Sequence, residues 1–144
     1  MTSMTRFSRI GVGFALTALA VVGVRLAAAQ DEHLREQMQL KATKACDGCN
    51  LSGVNYTKAD LKGVSLSGAT LEGTIFYRAD LTNATFAGAN LSKANLTIAD
   101  LTNVNFSNAN LAGANLAGST GAALAGAVTT DTTTCPDGQA GPCR

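Results

Sequence analysis

From Cys49 to Gly118 the apolar and polar residues recur with a period of five, through fourteen consecutive units without a break. The third place of every unit is large and apolar: Leu51, Tyr56, Leu61, Leu66, Leu71, Phe76, Leu81, Phe86, Leu91, Leu96, Leu101, Phe106, Leu111 and Leu116. The first place is small, being Ala in nine units and Val at Val54, Val64 and Val104, with Cys49 and Thr74 as departures. Asn or Asp dominates the second place, and Gly or Asn holds the fifth in ten of the fourteen units. Gly and Asn tolerate positive φ at least cost, so the fifth place marks a recurring turn.

Neither ordinary element accommodates this period. An α-helix turns about 100° per residue, so successive third-place residues would spiral over every face. A flat strand fails because an odd repeat sends alternate third-place residues to opposite faces. A chain that bends once per unit resolves both problems, since the first and third places then point inward at every side of a coil. Repeats of this kind stack as solenoids.

Units such as Ala59-Asp60-Leu61-Lys62-Gly63 and Ala89-Asn90-Leu91-Ser92-Lys93 resemble the pentapeptide repeat family, whose consensus is close to Ala-Asp/Asn-Leu-x-x. The resemblance covers about half the chain. It implies an all-β fold, a right-handed quadrilateral β-helix with four units per coil, in which residues twenty apart stack. At a β spacing of about 4.8 Å, three and a half coils make a rod roughly 17 Å tall. Stacking by twenty sorts the core into four ladders: Leu51/Leu71/Leu91/Leu111, Tyr56/Phe76/Leu96/Leu116, Leu61/Leu81/Leu101 and Leu66/Phe86/Phe106.

The segments flanking the repeat have different patterns. In residues 1–29, Arg6 and Arg9 precede an apolar run from Ile10 to Val24, and Ala27-Ala28-Ala29 offers a small-residue cleavage site before Gln30. This reads as a secretory signal peptide, with a retained anchor as the alternative and Arg25 as an unusual late charge. The run is about fifteen residues, short of the roughly twenty that span a bilayer, so no membrane span is expected after cleavage. Residues 30–45 change to helical spacing, with Leu34, Met38 and Leu40/Lys41 on one stripe, and are expected to form a short capping helix over the first coil. Residues 46–126 then hold the repeat. After Gly118 its register slips through Ser119-Thr120-Gly121, and Ala122 to Gly126 resumes it in a shifted frame. Residues 127–144 read as a C-terminal cap. With both ends read as capped, the oligomeric state is left open.

Composition changes the picture in two ways. The chain is 46% hydrophobic and 15% charged, and much of the apolar excess lies in residues 1–29. Without that segment, eight basic residues face ten acidic ones, and within the repeat Lys58, Lys62, Arg78 and Lys93 balance Asp60, Glu72, Asp80 and Asp100. A neutral rod offers neither a nucleic-acid patch nor the net negative charge of a DNA mimic.

Four cysteines carry the remaining chemistry. For Cys46-Asp47-Gly48-Cys49 a structural disulfide, a thioredoxin-like redox pair and half a zinc site compete. In the register Cys46 takes a third place and Cys49 a first place, both inward, and an exported compartment favours a disulfide. The resemblance agrees, since family members often begin their repeats after a similar Cys-x-x-Cys. Of the three possible pairings of four cysteines, the two local ones, Cys46–Cys49 and Cys135–Cys143, are preferred.

The remaining features have bland readings beside sharper ones. His33 reads as a solvated terminal residue. Asp60, Asp80 and Asp100 stack into an acidic ladder that could attract calcium, although Lys58 and Arg78, two residues before the first two, are placed to offset it. Lys58, Ile75, Tyr77, Arg78 and Ile98 take outward places in the units centred on Tyr56, Phe76 and Leu96, and together suit a protein interface, with repeat drift as the alternative. No catalytic constellation, cofactor motif or metal set is visible. The expectation is a periplasmic or secreted, non-enzymatic structural or interaction module with a protein or envelope partner. The alternatives are a DNA-mimicking topoisomerase-protecting protein and a redox protein using Cys46 and Cys49.

Overall fold

The computed structural model describes the backbone of residues 18–143 and the side chains of residues 31–143. It divides into two compact units, residues 1–31 and 32–144. Of the first, the described part is helical. In the second, each five-residue unit closes a β-turn, in which the third-place carbonyl accepts the next first-place N–H, as from Val54 to Leu51 at 3.2 Å and from Ala89 to Phe86 at 2.9 Å. All fourteen fifth-place residues from Gly53 to Gly118 have φ between 57° and 69°. Positive φ at the third of four turn residues is the type II pattern, which explains why Gly and Asn recur there.

Four such turns make one coil, and coils stack through single-residue parallel bridges at the second place, such as Asn50 with Thr70, Thr70 with Asn90 and Asn90 with Asn110. Three backbone bonds per unit tie neighbouring coils: Leu51 N–H to Thr70 O at 2.8 Å, Gly53 N–H to Glu72 O at 2.9 Å, and Thr70 N–H to Cys49 O at 2.8 Å. Extended structure between the corners is reduced to these single-residue bridges. The turn consumes the third, fourth, fifth and following first places, leaving only the second free to pair.

The second place also does local work. All ten of its Asn and Asp residues accept the fourth-place N–H of their own unit at 2.9–3.3 Å. That N–H has no place in the inter-coil ladder, so the side chain satisfies a donor the backbone pattern omits. Ser52, Thr82, Thr97 and Thr102 add a hydroxyl bond to the same oxygen. Where Ser65 replaces the amide, Asp47 from the preceding coil accepts both the Ser65 hydroxyl and the Ser67 N–H, the latter at 2.9 Å.

All four apolar ladders are buried. Tyr56 stacks on Phe76 with centroids 5.6 Å apart, Phe86 on Phe106 likewise at 5.6 Å, and Phe76 meets Phe86 edge-on at 5.8 Å. These contacts join two ladders across the interior. Thr74 is fully buried at a first place otherwise held by small apolar residues, and its hydroxyl donates to Leu51 O at 2.8 Å. The bond offsets the cost of burying the oxygen.

At the N-terminal end, helix α1 runs from Ala18 to Thr43, longer than the cap expected over residues 30–45. The segment expected to be a signal peptide lies largely outside the described residues. Within the second unit, the packed stripe of α1 is not the one expected: Leu40 is buried, but Leu34 is 56% and Met38 61% exposed. His33, Glu36 and Gln37 are half-buried instead, at helical spacing with Leu40, so His33 is not a fully solvated residue. On this face Glu36 Oε1 accepts the Asn50 N–H at 3.1 Å, replacing the carbonyl that a preceding coil would supply.

At the C-terminal end, the register contracts and then partly recovers. Thr120 lies twenty residues after its partner Asp100, Val128 only eighteen after Asn110, and Thr134 nineteen after Asn115. The contraction falls at Gly121, where an added Cβ would lie 2.6–2.9 Å from Thr102, including its backbone N and Cα. Thr133 then repeats the Thr74 arrangement, buried with its hydroxyl donating to Leu111 O at 2.9 Å. Cys46 pairs with Cys49 and Cys135 with Cys143, one disulfide near each end of the coil stack.

Gly121→Ala combines the cost of left-handed φ with a backbone clash, and should destabilise the protein by about 3–5 kcal/mol. Gly68→Ala, at similar φ with open space around it, should cost only about 1–2 kcal/mol. Denaturant unfolding of the two variants checks this; equal losses would mean that the contraction is not held rigidly by the Thr102 contact.

Candidate interaction corner

Fifth-place residues stack into four corner ladders, three of which are built almost entirely from Gly and Asn. Gly53/Gly73/Lys93/Gly113 has one exception, while Gly63/Asn83/Asn103 and Gly68/Gly88/Asn108 have none. The fourth corner runs Lys58, Arg78, Ile98, Gly118, and its first three members each hold φ at 58°. A residue with a Cβ in this conformation costs roughly 1–2 kcal/mol, and a β-branched residue such as Ile98 is a genuine outlier. The cost is thus concentrated on one edge. Gly118 makes room for it, since a Cβ there would come within 3.4 Å of Ile98 Cγ1.

Ile98 is 47% exposed, the large apolar side chain most exposed among the third to fifth places of the described repeat. Lys58 and Arg78 are exposed as well. Ile75 and Tyr77 are half-buried, Ile75 bridging Asn55 and Asn95 in the stack. All five residues singled out in the sequence therefore lie on one face and its corner. Unit 74–78 departs furthest from the repeat: with Ile75 in the second place it lacks the side-chain acceptor that its neighbours Asn55 and Asn95 provide. The Arg78 guanidinium lies 5.7 Å from the Tyr77 ring centroid, within cation–π range.

Round this corner lies the acidic ladder, and its compensation differs from the expected one. Lys62, not Arg78, pairs with Asp80, at 3.0 Å. Hydrogen bonding to Asp80, followed by the charges of Asp80 and Asp60, raises the Lys62 pKa above its ordinary value. Hydrogen bonds from Thr82 first and Lys62 second hold Asp80 below the usual carboxylate range. Lys93, the lone cation on its own corner, is paired with Glu72 at 2.8 Å. Among the described residues, Lys58 and Arg78 have no carboxylate within ion-pair distance. The partners come from neighbouring coils: Lys62 lies eighteen residues before Asp80 and Lys93 twenty-one after Glu72, offsets that the twenty-residue stacking brings close.

With this repeat geometry in view, the family model for the pentapeptide repeat region matches residues 45–117, half of the chain. The chain belongs to the pentapeptide repeat family. It is similar to a pentapeptide repeat protein of Nostoc Pcc 7120, with 27% identity over 60% of this chain and 76% of that one, at a TM-score of 0.48. Another is a pentapeptide repeat protein of the Arabidopsis thaliana thylakoid lumen, with 28% identity over 60% of this chain and 61% of that one, at a TM-score of 0.30. A third is QnrB1, a plasmid-mediated fluoroquinolone resistance protein, with 18% identity over 59% of this chain and 52% of that one, at a TM-score of 0.25. No curated protein matches. Pentapeptide repeat proteins are generally structural or interaction modules.

One polar pair escaped the sequence reading. Under α1, Glu36 Oε2 and the Tyr56 hydroxyl are both buried without a hydrogen-bond partner in the described residues. Burial first, and the Glu36 charge second, push the Tyr56 phenol up to about 12. A phenol that stays protonated longer in the folded chain binds more protons than in the unfolded one between about pH 10 and 12. Stability should therefore be intact below pH 10 and fall as pH rises through that window. Tyr56→Phe should flatten this part of the pH–stability curve, as read by thermal unfolding; an unchanged slope would mean that the phenol does not carry it.

Proposed function

We propose that this pentapeptide repeat protein is an exported, non-catalytic interaction module, a right-handed quadrilateral β-helix that presents the Lys58/Arg78/Ile98 corner and the flanking Ile75 and Tyr77 to a protein of the cell envelope or exterior. The carrying observation is Ile98: a β-branched residue held at φ 58° and 47% exposed, where the repeat otherwise uses mainly Gly or Asn. Strain of this kind concentrates where a side chain serves something other than folding. Two disulfides are compatible with an oxidising compartment, and residues 1–29 read as the export signal. No helix among the described residues is long and apolar enough to cross a membrane.

The near balance of charge along the repeat argues against the DNA-mimicking alternative, which needs a strongly negative surface. Burial of Cys46 and Cys49, at 0% and 8% exposure, argues against a redox role, which needs an accessible sulfur.

Ile98→Gly relieves about 1–2 kcal/mol of left-handed strain, offset by lost packing and by the backbone entropy of Gly. Stability should therefore change by less than about 1 kcal/mol, while recovery of the partner by crosslinking in the native host is abolished. A variant that is folded and still recovers the same partner would remove Ile98 from the interface.

A further inference from the structure

We infer that the partner binds this corner through a carboxylate-bearing segment with an adjoining apolar side chain, an inference that rests on the interaction reading above. The chemistry is set by what the corner leaves unsatisfied. The other two cations of the repeat are neutralised within the chain, Lys62 by Asp80 and Lys93 by Glu72. Lys58 and Arg78 are exposed, stacked on consecutive coils and without an ion-pair partner in the described residues. Both occupy a backbone conformation that Gly would take without strain. The units of this face, 54–58, 74–78, 94–98 and 114–118, contain no Asp or Glu.

Spacing defines the segment further. Rungs repeat at about 4.8 Å, so Lys58, Arg78 and Ile98 form a column about 10 Å long, two cations followed by one apolar side chain. An extended peptide advances about 3.3 Å per residue, so one carboxylate against Lys58 and Arg78 and an apolar residue beside Ile98 fall two to three residues apart. Tyr77, next to the Arg78 guanidinium, adds a half-buried aromatic edge to the same footprint.

The neighbouring face narrows the class. Asp60, Asp80 and Asp100 follow two residues after the three corner members, and Lys62 is the one cation of their units. A uniform polyanion, such as duplex DNA or an anionic bilayer, would meet that acidic ladder as well as the cations. A protein segment with localised carboxylates can engage the cations alone. The positive column beside a negative one thus acts against polyanions as well as for acidic peptides.

The test is a selection of random displayed decapeptides on the full chain, run in parallel on Lys58→Glu/Arg78→Glu and on Ile98→Gly, with unfolding curves confirming that all three are folded. Wild type should enrich peptides with Asp or Glu within three residues of Leu, Ile or Phe. Synthesised representatives should weaken about tenfold or more on the charge-reversed variant and in high salt. A wild-type pool that is apolar without acidic bias, and is lost on Ile98→Gly, would keep the corner as the interface but overturn the acidic partner. Enrichment unaffected by any corner variant, or no enrichment at all, would overturn both. Binding of phosphatidylglycerol vesicles or duplex DNA as strong as that of the acidic peptides, and lost on charge reversal, would overturn the peptide class in favour of a polyanion.

Discussion

The fold depends on a turn that every five residues must enter left-handed conformation. The type II geometry brings the third-place carbonyl onto the next first-place N–H, and the positive φ of the fifth place permits it. From this constraint the rest follows. The turn leaves one residue per unit free to pair with the next coil, so stacking uses isolated bridges rather than strands. It also leaves the fourth-place N–H outside the ladder, which is why ten of fourteen second places hold Asn or Asp. Small first places and large third places then fill an interior too narrow for any other arrangement.

The same constraint makes the departures informative. Where the repeat obeys its rule, Gly and Asn sit at the corners and the surface consists of short polar side chains. One corner breaks the rule three times in succession, and it is also where two cations have no ion-pair partner among the described residues and an isoleucine is exposed. Replacing these residues by Gly would relieve strain, so folding alone gives no reason to keep them. That strain is why Ile98 weighs more than Ile75 or Tyr77 in the proposed interface.

The two ends solve the open-coil problem by different means. At the start, a helix supplies Leu40 as a core plug and the Glu36 carboxylate as a substitute for the missing carbonyl. At the finish, the coil itself is altered, by a two-residue contraction at Gly121 and a one-residue recovery before Thr134. A buried threonine and a local disulfide then close that coil. The helix satisfies one edge donor, the Asn50 N–H, that would otherwise be open to another chain.

The sequence by itself determined the repeat, because a period of five with a turn-forming fifth place excludes helix and flat strand, and it placed Leu51 through Leu116 in the core and paired the cysteines locally. It also put Lys58, Ile75, Tyr77, Arg78 and Ile98 together, since residues twenty apart must stack. Tertiary structure decided what depends on neighbours from other coils or from the helix. Lys62 rather than Arg78 neutralises Asp80: the twenty-residue stacking brings Lys62 near Asp80 and the chain brings Arg78 near it, and only side-chain geometry chooses between them. Leu34 and Met38 face outward while the face that carries Leu40 and Glu36 packs on the first coil, where Leu40 is buried and Glu36 meets the Asn50 N–H. At Ile98 the sequence already put a β-branched residue in a turn place that favours positive φ, and the structure adds that its backbone holds φ 58° while the residue stays 47% exposed.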